Sequence, residues 1–191
     1  AAALYMTVAR TLIRANAADS QSPAEVLKEV NKLLVNESAE AMFVTAVYII
    51  LSLDTGEVLY SNAGHNRPLL FHSRRGVLEQ LPKGGTALGV INDLELENHH
   101  LLLRPGDSLL LYTDGVTDAL SPEGESFGED RLQNLLRLHG KETIQNLLEA
   151  LDDALIEFRR GLAPFDDITL VAVRREPARG RQVRKRQGRV K

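Results

Sequence analysis

Between residues 3 and 17 the stretch "ALYMTVARTLIRANA" places Leu4, Val8, Leu12 and Ala15 at helical spacing, which predicts a first helix. Its start has no capping residue, because Ala1 to Ala3 offer no side-chain acceptor for the free N–H groups; it reads as a helix whose upstream part has been cut away. A second helix starts at "SPAEVLKEVNKLL", with Ser22 as N-cap, Pro23 at the first helical position and Glu25 three residues past the cap, the pattern of a capping box. Val26, Leu27, Val30, Leu33 and Leu34 form its apolar face. From residue 42 the period changes. "MFVTAVYIILSL" is β-branched and aromatic, "DTGE" is a turn and "VLYSNAG" returns as the second arm of a hairpin. "PLLFHS" and "VLEQL" flank "RRG" as a second hairpin, and "LENHHLLL", "RPGD" and "SLLLYTD" predict a third. Two helices follow, "GEDRLQNLLRLHG" and "ETIQNLLEALDDALIEFRR", the latter ended by Gly161 and Pro164, and "DITLVAVRR" closes the body as a last strand. A helix pair, a run of antiparallel strands, a second helix pair and a strand make an α+β order in which the helices can cover both outer faces of a sheet sandwich.

The length of 191 residues suits one domain, and 43% hydrophobic with 26% charged residues is globular composition. With no cysteine, disulfides, thiolate zinc sites and cysteine nucleophiles are excluded, and any metal must sit on oxygen or histidine. No stretch reaches the ~20 apolar residues of a membrane span, and "AAALYMTVAR" lacks the basic-then-apolar order of a signal peptide, which points to a cytoplasmic protein with no membrane partner. The net charge of −3 is unevenly spread: residues 1–175 carry 16 basic against 25 acidic side chains, and residues 176–191 carry seven against one. The tail "RGRQVRKRQGRVK" has no hydrophobic period and reads as a solvated, disordered terminus; nucleic-acid binding through it is a minor reading.

One feature of the pattern carries chemistry. The apolar run "LLLYT" stops on Asp114, and Gly115 lets the backbone turn at once. Asp166 and Asp167 open the last strand. Both sets stand at strand ends, so the fold could gather them at one rim, where converging carboxylates need a cation such as Mg²⁺ or Mn²⁺. The competing reading is that Asp-Gly is a turn and that Asp166 and Asp167 only start a strand; spacing alone does not decide between them.

Taken in order, "SNAGHNRPLLF" (61–71), "GTALGV" (85–90), "LRPGDSLLLYTDGVTDA" (103–119), "FGEDRL" (127–132) and "FDDITLVAVR" (165–174) resemble the PP2C-like serine/threonine phosphatases of the bacterial stage II sporulation protein E and sigma-B regulator type. The resemblance covers nearly all of residues 1–175. It implies an αββα sandwich of two antiparallel sheets flanked by helix pairs, two Mn²⁺ or Mg²⁺ ions held by aspartates, and a water activated between them as nucleophile, so that no side chain attacks the phosphoserine or phosphothreonine. Asp114 matches the aspartate of the family's Asp-Gly metal motif, Asp166 the last-strand ligand with Asp167 beside it, and Gly115 lets the backbone approach the ions. The family's first metal motif, a Gly-Asp-Val-Ser-Gly-type stretch ahead of the first helix, has no counterpart in this sequence. The expected organisation is therefore a phosphatase domain over 1–175 lacking its N-terminal metal motif, then a basic tail over 176–191. The resemblance also implies a phosphorylated anti-anti-sigma-type substrate, and an upstream sensor or dimerisation region coupled through the first two helices. Met6 and Ile13 beside Leu4 and Val8 suit a homodimer contact or core packing equally. A second reading is a catalytically silent phosphatase-like binding module.

Other polar residues have narrower roles. His65 and Asn66 are expected to fix the loop after their strand by hydrogen bonds, in support of the metal site. Asp118 is a supporting carboxylate at most. His99 and His100 are adjacent on a strand and point to opposite faces, which excludes a chelating pair. His72 and His139 read as surface residues. Gly84, Gly85 and Gly89 make a mobile loop and not a phosphate loop, since no helix start follows them.

Overall fold

The computed structural model describes residues 2–18, 20–37 and 42–177. The tail from residue 178 onward lies outside the described residues. Helices α1 (Ala2–Asn16) and α2 (Pro23–Glu37) open the chain. The N-terminus of α2 departs from the expected capping box. Ser22 Oγ does accept the Glu25 amide at 3.3 Å, but the Glu25 carboxylate accepts from Ser20 Oγ at 3.1 Å, and the Ser22 amide donates to that same Ser20 oxygen at 3.1 Å. Asn98 completes the cap from a distant loop, accepting the Ala24 amide at 2.9 Å.

The strands are β1 (Ala46–Leu51), β2 (Glu57–Ala63), β3 (Leu69–His72), β4 (Val77–Gln80), β5 (His99–Leu102), β6 (Ser108–Tyr112) and β7 (Leu170–Arg174). They form two antiparallel sheets, one in the order β1-β2-β5 and the other β4-β3-β6-β7. The first two hairpins are present as the sequence pattern predicts. The third is not. β5 pairs with β2 in one sheet, while β6 runs between β3 and β7 in the other, so "RPGD" carries the chain across the sandwich.

The residues explain the exchange. β6 is apolar on both faces and buried at Ser108, Leu109, Leu110 and Tyr112, which suits a central strand covered on each side. β5 alternates half-buried and exposed positions and is content at an edge. The connecting turn is fastened to the second sheet: Asp107, buried, accepts the Ser73 amide at 2.9 Å, its backbone carbonyl accepts the Arg175 amide at 3.1 Å, and Gly106, at φ +91°, donates to the Arg175 carbonyl.

Three apolar clusters define the layers. Leu27, Val30 and Leu34 of α2 pack on Ala63 and Leu88 outside the first sheet. Val58 and Tyr60 of that sheet meet Leu70 and Leu109 of the other between the two. Helices α4 (Gly128–His139) and α5 (Ile144–Arg159) bury Leu132, Leu136, Leu147, Leu151 and Leu155 against Leu69, Leu110 and Tyr112 on the far face. The architecture is the αββα sandwich. Leu33, placed on the apolar face of α2 by its spacing, is 41% exposed. In α1, Val8 and Ile13 pack against the core while Leu4 and Met6 stand out at 70% and 59% exposure, so core and surface share the apolar residues of that helix. No helix among the described residues is long and apolar enough to cross a membrane.

Candidate metal centre

At the end of β6 the chain turns into a single helical turn, α3 (Asp114–Thr117), which the apolar pattern did not predict. It is fixed from within: the Asp118 amide donates to the Asp114 carbonyl at 2.8 Å, and Thr117 Oγ1 donates to the same carbonyl at 3.1 Å. Asp114 is exposed at its head and Gly115 buried beneath it. Asp166 and Asp167, both exposed, lie in the loop that leads into β7.

The two segments touch. A Cβ on Gly115 would lie 2.5 Å from the Asp167 carbonyl oxygen and 3.3 Å from that of Asp166, so only glycine allows this approach. The glycine is required by contact with backbone, not by an unusual φ. Thr113 Oγ1 donates to the Asp167 carbonyl at 2.9 Å. The fold therefore brings together the Asp-Gly turn and the Asp-Asp pair that the sequence set 52 positions apart.

The donor chemistry fits a hard divalent cation. Asp114 Oδ1 accepts the Gly115 amide at 3.0 Å and Asp166 Oδ1 the Asp167 amide at 2.7 Å. Among the described residues no hydrogen bond engages their other oxygens or the Asp167 carboxylate, which leaves exposed oxygen donors at one rim. Among the same residues no group of three or more His, Cys, Asp or Glu is placed to hold a metal ion.

His65, Asn66 and Asp118 surround this rim. His65 Nδ1 is 3.0 Å from Thr45 Oγ1, and the ring stands beside the Tyr112 backbone. Burial pushes its pKa down from the ordinary imidazole value, against the opposing pull of the Asp114 carboxylate and the Tyr112 backbone. Asn62, which the sequence reading passed over, holds the His65 backbone on both sides: its Oδ1 accepts the His65 amide at 2.8 Å and its Nδ2 donates to the His65 carbonyl at 3.0 Å. In the sequence it is only a polar residue inside a strand. Asn66 stands beside the Tyr112 hydroxyl, outside strict hydrogen-bond geometry. Asp118 caps the end of α3, where its Oδ1 accepts from Thr117 Oγ1 at 3.3 Å, and it is exposed.

The glycine loop is packed against β2 more tightly than its composition suggests. The Gly85 amide donates to the Asn62 carbonyl at 3.0 Å, and a Cβ on Gly84 would lie 1.6 Å from that oxygen. His72 is not a surface residue. Its side chain is 15% exposed, with Glu79 at 2.9 Å and buried Asp107 at 3.5 Å, at the opposite end of β3 and β6 from the carboxylate rim. His139 pairs with Glu142 at 2.9 Å.

The profile of the stage II sporulation protein E (SpoIIE) family matches residues 1–176. The chain belongs to the SpoIIE family. It is similar to phosphoserine phosphatase RsbU of Bacillus subtilis, 27% identical over 154 residues that make up 81% of this chain and 45% of that protein. Protein IcfG of Synechocystis sp. is 36% identical over 135 residues, 71% of this chain and 21% of IcfG. Among solved structures, the SiaA-PP2C domain of Pseudomonas aeruginosa superposes with a TM-score of 0.79 at 26% identity, over 90% of this chain and 69% of that one. This chain thus spans less than half the length of the two relatives.

Proposed function

We propose that this chain is the catalytic part of a metal-dependent protein serine/threonine phosphatase that acts on a phosphorylated regulatory protein of the anti-anti-sigma type, within the cytoplasm. The observation that carries the reading is the meeting of the Asp114–Gly115 turn with the Asp166–Asp167 segment at one rim, in a chain of this family.

In this reading Asp114 and Asp166, with Asp167 beside them, hold Mn²⁺ or Mg²⁺. When bound, such ions neutralise the phosphoryl oxygens and activate water for in-line displacement. The protein's own residues prepare the place. Gly115 removes the side chain that would separate the two segments. His65 stands beside the backbone two residues ahead of Asp114, and Asn62 anchors His65. The Gly-Asp-Val-Ser-Gly-type motif that the family carries ahead of its first helix, which these 191 residues do not contain, would supply a further ligand. Exposed Leu4 and Met6 on α1 support a contact with an upstream sensor, a dimerisation region or a second copy.

The test is phosphate release from a phosphoserine protein by the longer protein, with Mn²⁺ supplied, beside Asp114→Asn and a chelated control. Release that requires both Mn²⁺ and Asp114 is the expected result, with Asp114→Asn slower by at least about 100-fold, the scale of losing one electrostatic stabiliser of the transition state. Turnover retained by Asp114→Asn sinks the assignment, and no release from folded, metal-supplied protein leaves a silent phosphoprotein-binding module.

A further inference from the structure

Thr113 occupies the N-cap position of α3, with extended backbone at φ −87° and ψ 161°. A threonine at such a position ordinarily turns its hydroxyl onto the second or third amide of its own helix. This one makes no capping bond. Its Oγ1 points across to the neighbouring segment, donating to the Asp167 carbonyl at 2.9 Å and accepting the Thr169 amide at 2.9 Å. The Thr113 amide donates to the Thr169 carbonyl at 3.1 Å.

The β6–β7 register ends with Tyr112 opposite Leu170. Beyond it the strand bends into α3 and backbone pairing cannot continue past Thr113. The hydroxyl takes over, and it carries the connection to Asp167. Because Thr113 immediately precedes Asp114, one oxygen atom sets where the Asp114 turn stands relative to the Asp166–Asp167 loop. Gly115 rests on the same Asp167 carbonyl from the other side of Asp114. The carboxylates do not hold one another: Asp114 Oδ1 and Asp166 Oδ1 each accept the amide of the next residue in their own segment.

We infer that Thr113 is a positioning residue of the metal centre, whose hydroxyl fixes the separation of the Asp114 and Asp166–Asp167 carboxylates and so sets the affinity for a hard divalent cation. This rests on the metal-dependent reading above. Thr113 touches neither ion nor phosphate; it acts through the backbone that carries their ligands. Valine has the same shape without the hydroxyl, and serine keeps the hydroxyl without the methyl.

The test is a calorimetric titration of the full-length protein with Mn²⁺ alone, comparing wild type with Thr113→Val, Thr113→Ser and Asp114→Asn. Thr113→Val is expected to bind about 10- to 100-fold more weakly, the usual effect of losing a group that orients ligands. Thr113→Ser should stay near wild type. Amide exchange at Thr169 should quicken in Thr113→Val and not in Thr113→Ser. If Thr113→Val does not fold, Thr113→Cys, whose thiol is a weaker donor, takes its place: weaker Mn²⁺ binding supports the role, and wild-type affinity overturns it. A lowered Tm with unchanged Mn²⁺ affinity in Thr113→Val makes the residue merely structural and removes this inference alone, provided Asp114→Asn has lost binding. A wild-type protein that binds no Mn²⁺ removes the metal reading and this inference together.

Discussion

His65 Nδ1 lies 3.0 Å from the hydroxyl of Thr45, and the same ring stands beside the Tyr112 backbone, so one side chain sits between the approach to β1 in the first sheet and the end of β6 in the second. Apolar side chains between the two sheets resist separation but do not set register. A polar link at the rim does. His65→Ala is expected to lower unfolding free energy by about 0.5–1.5 kcal/mol, the worth of one ordinary hydrogen bond, measured by urea denaturation. An unchanged midpoint would show that the ring contributes no such tie.

Gly115→Ala tests the contact between the two carboxylate segments. The new methyl would sit 2.5 Å from a backbone oxygen, which cannot swing aside as a flexible side chain can. The expected cost is about 1–3 kcal/mol, read as a drop in Tm, with Mn²⁺ binding weakened alongside. Wild-type stability in the variant would mean that the segments stand farther apart than described.

Tyr60 predicts a pH dependence. Its hydroxyl is buried and has no hydrogen-bond partner among the described residues. Burial, reinforced by Glu79 and opposed by Arg67, pushes the phenol from 10.0 up to about 12. A raised folded-state pKa means that the associated stability is fully present below pH 10 and is lost as the pH rises through about 12. Tyr60→Phe should therefore be neutral or slightly stabilising at neutral pH, because it removes an unpaired buried group, and should lose less stability between about pH 8 and about pH 11. Parallel alkaline losses in both proteins would contradict this.

Asn31 of α2 is fully buried and holds the loop beside the first sheet: its Oδ1 accepts the Gly89 amide at 2.9 Å and its Nδ2 donates to the Ile91 carbonyl at 2.8 Å. Asn31→Ala strands both backbone groups. A loss of about 1–3 kcal/mol is expected, with faster amide exchange at Gly89. If exchange there is unchanged, another partner supports the loop.

The elements, and most of their boundaries, follow from local physics. Helical spacing in "ALYMTVARTLIRANA", the Ser22–Pro23 start of α2 and the turn residues between β1 and β2 act within a few positions of one another, so the sequence by itself determined them. The five motifs carried the family resemblance, and they marked Asp114, Asp166 and Asp167 before any fold was known. Pairing was different. "HHLLLRPGDSLLLY" satisfies every local rule for a hairpin, yet β5 and β6 belong to separate sheets, because a strand apolar on both faces is best placed between two neighbours and local turn chemistry cannot see which neighbours are available. The same holds for Asn62, Thr113 and Thr45. Each is an ordinary polar residue in the sequence, and its role depends on a partner brought up from another segment by burial of the apolar clusters. Tertiary structure alone decided that two carboxylate segments 52 positions apart would share one rim, since only packing of the second sheet places the end of β6 against the approach to β7.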